Sequence, residues 1–249
     1  MEFTVEIFLL LFFVAFIAGL IDTIAGGGGL LTIPTLLYVG IPPAAALATN
    51  KLQGTFGSFT AAMYFIRKKM VNIKEIKLML IFTFLGAILG VFTLLQIDAS
   101  ILKQVIPILL IIIGFYFLFS PSVGAIDKEK RISIIVFSFT LAFGVGFYDG
   151  FFGPATGSFF AIGFIALLGF NLTKATAHAK VLNFVSNISS LCFFMFFGKI
   201  YWSIGLCMGV GQICGALIGA RLVLKNGQKI IRPIIVIISF AISIKLFFS

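Results

Sequence analysis

Four charged residues stand inside otherwise apolar sequence, and the same spacing is written twice. In the first stretch Gly19 and Asp22 precede Gly26, Gly27, Gly28 and Gly29, and Ala46, Ala48, Thr49, Asn50 and Lys51 follow. In the second, Gly146 and Asp149 precede Gly153, Pro154, Ala155, Thr156 and Gly157, and Ala175, Ala177, His178, Ala179 and Lys180 follow. Each copy therefore holds a carboxylate, a helix-breaking segment and a lysine. Such groups are costly in a membrane interior, so together they point to a site for a polar or charged ligand. Their duplication points to a site built jointly by two halves.

The breaks carry the first chemical expectation. Consecutive glycines lose helix propensity at about 1 kcal/mol each relative to alanine, and Pro154 removes a backbone donor. Inside a bilayer, backbone groups freed by a break must find protein, water or ligand. A helix restarting near Leu30, and another near Thr156, would point unpaired N–H groups into each break, and the helix dipole favours an anion there. The candidate anion-binding positions are thus Gly27, Gly28, Gly29, Thr156 and Gly157. For one copy alone, a plain hinge or a close helix crossing is an equal alternative; the second copy favours a site. The glycine run is not a phosphate loop, because no Gly-Lys-Ser/Thr follows it and no Rossmann unit surrounds it.

Lys51 lies about 10 Å along the element that starts near Ala44, and Lys180 lies similarly deep. A lysine there costs about 2.5–3.5 kcal/mol on insertion scales, unless it snorkels to the interface. Lys180, Asn183, Asn187 and Ser190 share one helical stripe, extended by Thr173 and Thr176; Lys51, Thr55 and Ser58 form its counterpart, with Gly54 where Asn183 stands. The stripe predicts a cavity in which Lys51 and Lys180 supply countercharge and Ser58, Asn183 and Asn187 orient the ligand. Asp22 and Asp149 sit one turn before each break, at the negative end of a helix dipole, so each needs a cation or a proton. Two readings stand: structural ion pairs with Lys51 and Lys180, or proton exchange during transport. His178 is about 200° from Lys180 around its helix, which places it on another face as a hydrogen-bonded interhelical histidine. Its counterpart Thr49 shares a second polar face with Gln53 and Thr60. Cys192, Cys207 and Cys214 show no metal or redox spacing and read as packing residues. No nucleophile–base set, metal cluster or cofactor motif is present, so an enzyme is not expected.

These residues need elements to hold them. Of 249 residues, 61% are hydrophobic and 10% charged, with a mean hydropathy of +1.20; long apolar runs of this kind read as membrane-spanning helices. Spans are expected near 3–25, 44–66, 76–95, 101–120, 132–150, 174–197, 202–223 and 231–248. Two short elements, 30–40 and 154–169, are either re-entrant half-helices or short spans. The halves, 1–120 and 132–249, flank a polar linker, 121–131. Further repeat matches are Gly86-Ala87 and Gly90 with Gly215-Ala216 and Gly219, a close-packing signal, and Pro107 with Pro233, each opening an apolar run. The net charge of +10 follows from basic cytoplasmic loops, and nucleic acid is not an expected partner. The first charges, Glu2 and Glu6, do not suit a signal peptide, so the first helix is expected to be retained. Tyr201 and Trp202 read as interfacial anchors.

Loop charge then sets orientation. Loop 67–77 carries Arg67, Lys68, Lys69, Lys74 and Lys77, whereas its counterpart near 198–203 has only Lys199. Loop 221–232 carries Arg221, Lys225, Lys229 and Arg232, whereas its counterpart near 96–100 has no basic residue. The halves should be inserted upside down relative to each other, with both termini outside and the linker inside. The expected fold is an all-α polytopic membrane protein: an inverted repeat with broken or re-entrant helices and eight to ten membrane elements.

The glycine-rich break followed by Thr32-Ile33-Pro34, then Ala48-Thr49-Asn50-Lys51, resembles the sulfite exporter TauE/SafE family of membrane permeases. So do Gly150, Gly153-Pro154 and Gly157 with Ala175, Ala177, Lys180 and Asn183 in the second half; Ala155 departs from the glycine many members carry. The resemblance covers essentially the whole chain. It implies a secondary transporter in a bacterial inner membrane that moves a small sulfur-containing anion, such as sulfite, thiosulfate, a sulfonate or sulfoacetate, by alternating access. It leaves import or export open, and protons are a possible coupling ion. An anion channel and a membrane accessory or assembly protein without transport are the alternatives from other classes.

Overall fold

The computed structural model describes residues 3–98 and 128–226, and between them residues 100–102, 104–106, 108, 109 and 112. The expected spans 101–120 and 231–248, the linker 121–131, Pro107, Pro233, Lys229, Arg232 and the carboxyl terminus lie wholly or partly outside the described residues. The described elements are helical: α1 (Val5–Ala25), α2 (Gly29–Tyr38), α3 (Pro43–Arg67), α4 (Ile73–Leu95), α5 (Ile134–Phe151), α6 (Thr156–Leu168), α7 (Leu172–Phe197) and α8 (Trp202–Asn226). Within α5, Ser138–Ala142 is wound as a π-helix, and Thr83 Oγ1 reaches the Ala142 carbonyl at 3.4 Å.

Five of these helices, α1, α4, α5, α7 and α8, are long and apolar enough to cross a membrane. At 25 residues α3 is also long enough, but Asn50, Lys51 and Gln53 dilute its apolarity, and all three are buried. The two short helices, α2 and α6, have 10 and 13 residues. At 1.5 Å per residue they extend about 15 and 20 Å, short of a bilayer core of about 30 Å.

Short helices after breaks make two hairpins. The start of α1 and the end of α2 share one apolar cluster, through Ile7, Leu11 and Leu36. The start of α5 and the end of α6 share another, through Phe137, Phe164 and Leu168. The two hairpins enter from different clusters and their tips touch: Ser158 Oγ donates to the Ala25 carbonyl, and a Cβ on Gly157 would lie 2.8 Å from Gly26 Cα.

Helix crossings repeat across the halves. α1 packs chiefly on α8 and α4 chiefly on α5, while α3 lies against both α7 and α8. A Cβ on Gly86 would stand 2.8 Å from Phe147 N, and one on Gly215 would stand 2.7 Å from Leu20 N. A Cβ on Gly146 would stand 2.6 Å from the Thr83 carbonyl, and one on Gly19 would stand 2.7 Å from the Gln212 carbonyl. In the duplicated sequence Phe147 corresponds to Leu20 and Thr83 to Gln212, so the same contacts are made twice. Side chains this small let helix backbones touch where no water-driven force pulls them together.

The outer faces are apolar. Phe13 and Ile17 on α1, Phe84 and Phe92 on α4, and Val210 and Ile218 on α8 are exposed, as expected for surfaces solvated by lipid. Most exposed basic residues gather at one end: Arg67, Lys68, Lys69, Lys74 and Lys77 around the α3–α4 turn, and Arg221 and Lys225 at the end of α8, with Lys199 at the opposite end. Residues 128–131 join them, because Lys128 N and Arg131 N donate to the Gly169 and Leu167 carbonyls at 2.7 and 2.8 Å. One core cluster, including Phe65, Val71, Leu168, Leu172 and Val223, ties these segments together.

Replacing Gly86 or Gly215 by valine is expected to destabilise the protein by about 1–3 kcal/mol, because the added methyls meet backbone. Gly144→Ala, whose Cβ meets nothing within 4 Å, should cost nothing. The half-life of the folded protein in detergent at fixed temperature checks both.

Candidate functional site

The helix restarts fall where the breaks require. α1 ends on Gly26 with φ +83°, and α2 begins at Gly29. In the second half Gly153 has φ +100° and Ala155 has φ +66°, with α6 beginning at Thr156. Ala155 thus holds a left-handed conformation that costs a non-glycine residue roughly 1–2 kcal/mol; its methyl is buried against the apolar cluster that includes Leu30 and Phe152.

Both lysines are buried, and both are paired across the halves. Lys51 Nζ forms an ion pair with Asp149 Oδ1 at 2.8 Å. Lys180 Nζ donates to Asp22 Oδ2 at 2.8 Å. Each lysine takes the carboxylate of the other half. The lysines sit behind glycines: a Cβ on Gly153 would be 2.9 Å from Lys51 Nζ, and one on Gly157 would be 2.8 Å from Lys180 Nζ.

Each carboxylate also reaches the start of the next half-helix. Gly28 N donates to Asp22 Oδ1 at 3.2 Å. Thr156 Oγ1 stands 2.6 Å from Asp149 Oδ1 and 2.7 Å from the Gly153 carbonyl. The negative charges therefore lie beside the positive ends of α2 and α6, where the dipole stabilises them. The pairs differ in exposure: the Lys51 and Asp149 side chains are each 2% exposed, whereas Asp22 is 19% exposed against 1% for Lys180.

Between the pairs lies a cavity of about 30 Å³. That is room for two or three water-sized groups, the scale of a small oxyanion and not of an extended chain. Asp22, Gly28, Gly29, Asp149, Thr156 and Gly157 line it, and so do Asn183 and Asn187. Gly27, Ser58, Lys51 and Lys180 are not among the lining residues; Ser58 Oγ donates to its own helix at the Gly54 carbonyl, 2.7 Å away. Asn187 Nδ2 donates to the Asn183 carbonyl at 2.8 Å and to Asn183 Oδ1 at 3.0 Å. Gly54 makes room for it, since a Cβ there would stand 3.2 Å from Asn187 Oδ1.

Three further lining amides, Asn50, Gln53 and Gln212, are absent from the sequence-derived set. Thr32 Oγ1 and Gln53 Nε2 both donate to Asn50 Oδ1 at 2.6 Å. Gln53 was expected on a second polar face with Thr49 and Thr60. Instead Asn50, Gln53 and Gly54 form the cavity stripe of α3 while Lys51 reaches away to Asp149. Gln212 enters from α8 against Gly19, whose Cβ would lie 2.8 Å from Gln212 Oε1. A lone amide in an apolar span is itself a costly residue, and that signal could have found it. His178 does not line the cavity. Its Nδ1 lies 2.8 Å from the Lys174 carbonyl, and its ring packs between Phe164 and Phe170. Thr49 Oγ1 accepts from Tyr201 N at 3.1 Å. No group of three or more His, Cys, Asp or Glu residues suited to a metal occurs among the described residues.

A multi-pass helical membrane protein with charges compensated around a small internal cavity is the class that fold and site define. The sulfite exporter TauE/SafE family model matches residues 11–246, and the chain belongs to that family. It is 53% identical over 239 residues to the probable membrane transporter protein YfcA of Escherichia coli K12, covering 96% of this chain and 89% of that protein. It is 47% identical over 249 residues to a probable membrane transporter protein of Haemophilus influenzae Rd, covering 100% and 98%. A more distant relative is the probable membrane transporter protein YunE of Bacillus subtilis 168, at 23% over 267 residues, covering 97% and 98%. No solved structure gave a significant match.

Removing one partner of a buried ion pair leaves the other charge uncompensated, at about 3–5 kcal/mol. Lys51→Met should therefore destabilise the protein. Adding Asp149→Asn should restore much of the loss, and adding Asp22→Asn should not. Thermal stability of the three variants in detergent reads the cross-pairing directly.

Proposed function

We propose that this protein is a secondary active transporter that moves a small sulfur-containing anion across a bacterial inner membrane by alternating access. The observation that carries the reading is the reciprocal pairing of Lys51 with Asp149 and Lys180 with Asp22 around a cavity that two half-helix starts face. Helix starts leave their first N–H groups without intrahelical partners. The anion's oxygens bind at the starts near Gly28, Gly29, Thr156 and Gly157, with Asn183 and Asn187 alongside. Lys51 and Lys180 act from behind the glycines as countercharge. Asp22 competes with the anion for the Gly28 N–H and for Lys180, so anion entry and ion-pair rearrangement are coupled.

Alternating access follows from two halves, 1–120 and 132–249, working as an inverted repeat on either side of the linker. The cross-paired lysines, the hairpins meeting tip to tip and the twice-made glycine crossings support that reading. The end bearing Arg67 to Lys77, residues 128–131 and Arg221 faces the cytoplasm, because translocation retains Lys and Arg. The amino terminus, with Glu6 at the other end of α1, lies outside. Protons are the proposed coupling ion, taken up at the carboxylates when their lysines are drawn to the anion. The role is transport and not catalysis.

Purified protein in proteoliposomes should carry sulfite or a related sulfur anion, tested across sulfur oxyanions and sulfonates with and without an imposed pH gradient. Lys51→Met with Lys180→Met should abolish that flux; wild-type flux in the double variant would refute the site. Asp149→Asn should abolish the response to the pH gradient, and an unchanged response would remove the carboxylate from coupling.

A further inference from the structure

Among the described residues, two buried oxygens beside the cavity have no hydrogen-bond donor. Asp149 receives Lys51 and Thr156 on Oδ1 alone, and its Oδ2 has no partner. Gln53 is held by its neighbours. Because Gln53 Nε2 and Thr32 Oγ1 both donate to Asn50 Oδ1, the Gln53 amide is fixed with Oε1 unpartnered. Asp149 and Gln53 are 1% and 2% exposed, and both line the cavity. Asp22, the counterpart of Asp149, receives a donor on each oxygen. Leaving a buried acceptor empty is costly, more so in a low-dielectric interior.

A fully deprotonated oxyanion brings only acceptors and would set lone pairs against these two oxygens. An anion that keeps one proton brings a donor that one of the two can accept. Charge points the same way. While Asp149 and Asp22 stay ionised, Lys51 and Lys180 cancel against them, which leaves the starts of α2 and α6, each equivalent to about half a positive charge. Together they balance about one negative charge, not two. The cavity of about 30 Å³ suits a compact ion.

Resting on the transporter reading above, we infer that the cavity takes its anion in the singly charged, protonated form, which for sulfite is hydrogensulfite. The anion's hydroxyl turns to the side of Gln53 Oε1 and Asp149 Oδ2, and its remaining oxygens turn to the helix starts at Gly29 and Gly157. Selectivity is strong in this arrangement, because an analogue without the donor leaves buried polar groups unmatched. Among the described residues the charged groups around the cavity are Asp22 on α1, Lys51 on α3, Asp149 on α5 and Lys180 on α7. The Tyr148 hydroxyl on α5 is engaged with the Pro154 carbonyl at 2.6 Å.

The test is tracer exchange in proteoliposomes of the full chain, at equal pH on both sides, through the second ionisation of sulfurous acid near neutrality. Radiolabelled sulfite is compared with radiolabelled methanesulfonate, a small monoanion with no proton to donate, after subtracting protein-free vesicles. Both probes meet the same titrating protein, so their ratio isolates the substrate's own proton. The sulfite-to-methanesulfonate ratio should fall by about tenfold per pH unit above that ionisation, as the protonated fraction does. A ratio that is flat or rises, with sulfite exchange intact, overturns the inference and leaves the transporter reading standing. No exchange of any sulfur anion in the panel overturns both. In addition, Gln53→Met should narrow the preference for hydrogensulfite over methanesulfonate by about tenfold, the worth of one hydrogen bond; an unchanged preference overturns the role of Gln53.

Discussion

An ammonium group removed from water needs a counterion close by, and in an apolar interior that need outweighs most local preferences. Lys51 and Lys180 are almost fully buried and meet it with carboxylates from the opposite half. For Lys51 to reach Asp149, the break after α5 must come up against α3; for Lys180 to reach Asp22, the break after α1 must come up against α7. Charge compensation thus sets where the two hairpin tips lie. Gly153 and Gly157 at the tips leave room for the two ammonium groups, and they also meet a left-handed turn at Gly153 and the Gly26 backbone at Gly157.

With the tips in place, the cavity is what remains between them. Its walls are uneven although its framework is repeated. Asn183 and Asn187 come from α7, whereas α3 offers Asn50, Gln53 and the small Gly54. Gln212 projects from α8, where the equivalent crossing in the first half has Thr83. Asp22 is partly exposed and saturated with donors, while Asp149 is sealed and has an oxygen to spare. The two lysine–carboxylate pairs therefore stand in different surroundings although each takes its partners from both halves.

Membership of the sulfite exporter TauE/SafE family fits this architecture. The apolar outer faces and the basic end belong to the membrane, and the polar groups are turned inward where they compensate one another. Packing between helices relies on glycine contacts such as Gly86 over α5 and Gly215 over α1, because lipid gives helices little reason to associate through bulk hydrophobicity. The Phe-rich surface is then free to face lipid without affecting the interior.

Much of this was legible in the sequence because it rests on local physics. Apolar run lengths gave the helices, glycine and proline gave the breaks, and the restarts at Gly29 and Thr156 fall next to the positions expected. Asp22 and Asp149 needed a cation or a proton, and pairing with Lys51 and Lys180 was one of the two readings. Helical angle also separated His178 from the cavity. The sequence could not say which carboxylate each lysine takes, because that depends on how hairpins distant in sequence meet. Nor could a helical wheel show that Lys51 turns aside while Asn50 and Gln53 face the cavity, since a long flexible side chain follows its partner and not its Cα direction. Gln212 reached the site only through the close α1–α8 crossing. Residue chemistry and spacing alone dictate which groups are costly in an apolar interior and need compensation. Which carboxylate compensates which lysine is set by the fold, because electrostatic pairing in a low-dielectric interior depends on distances between helices that the chain brings together from opposite halves.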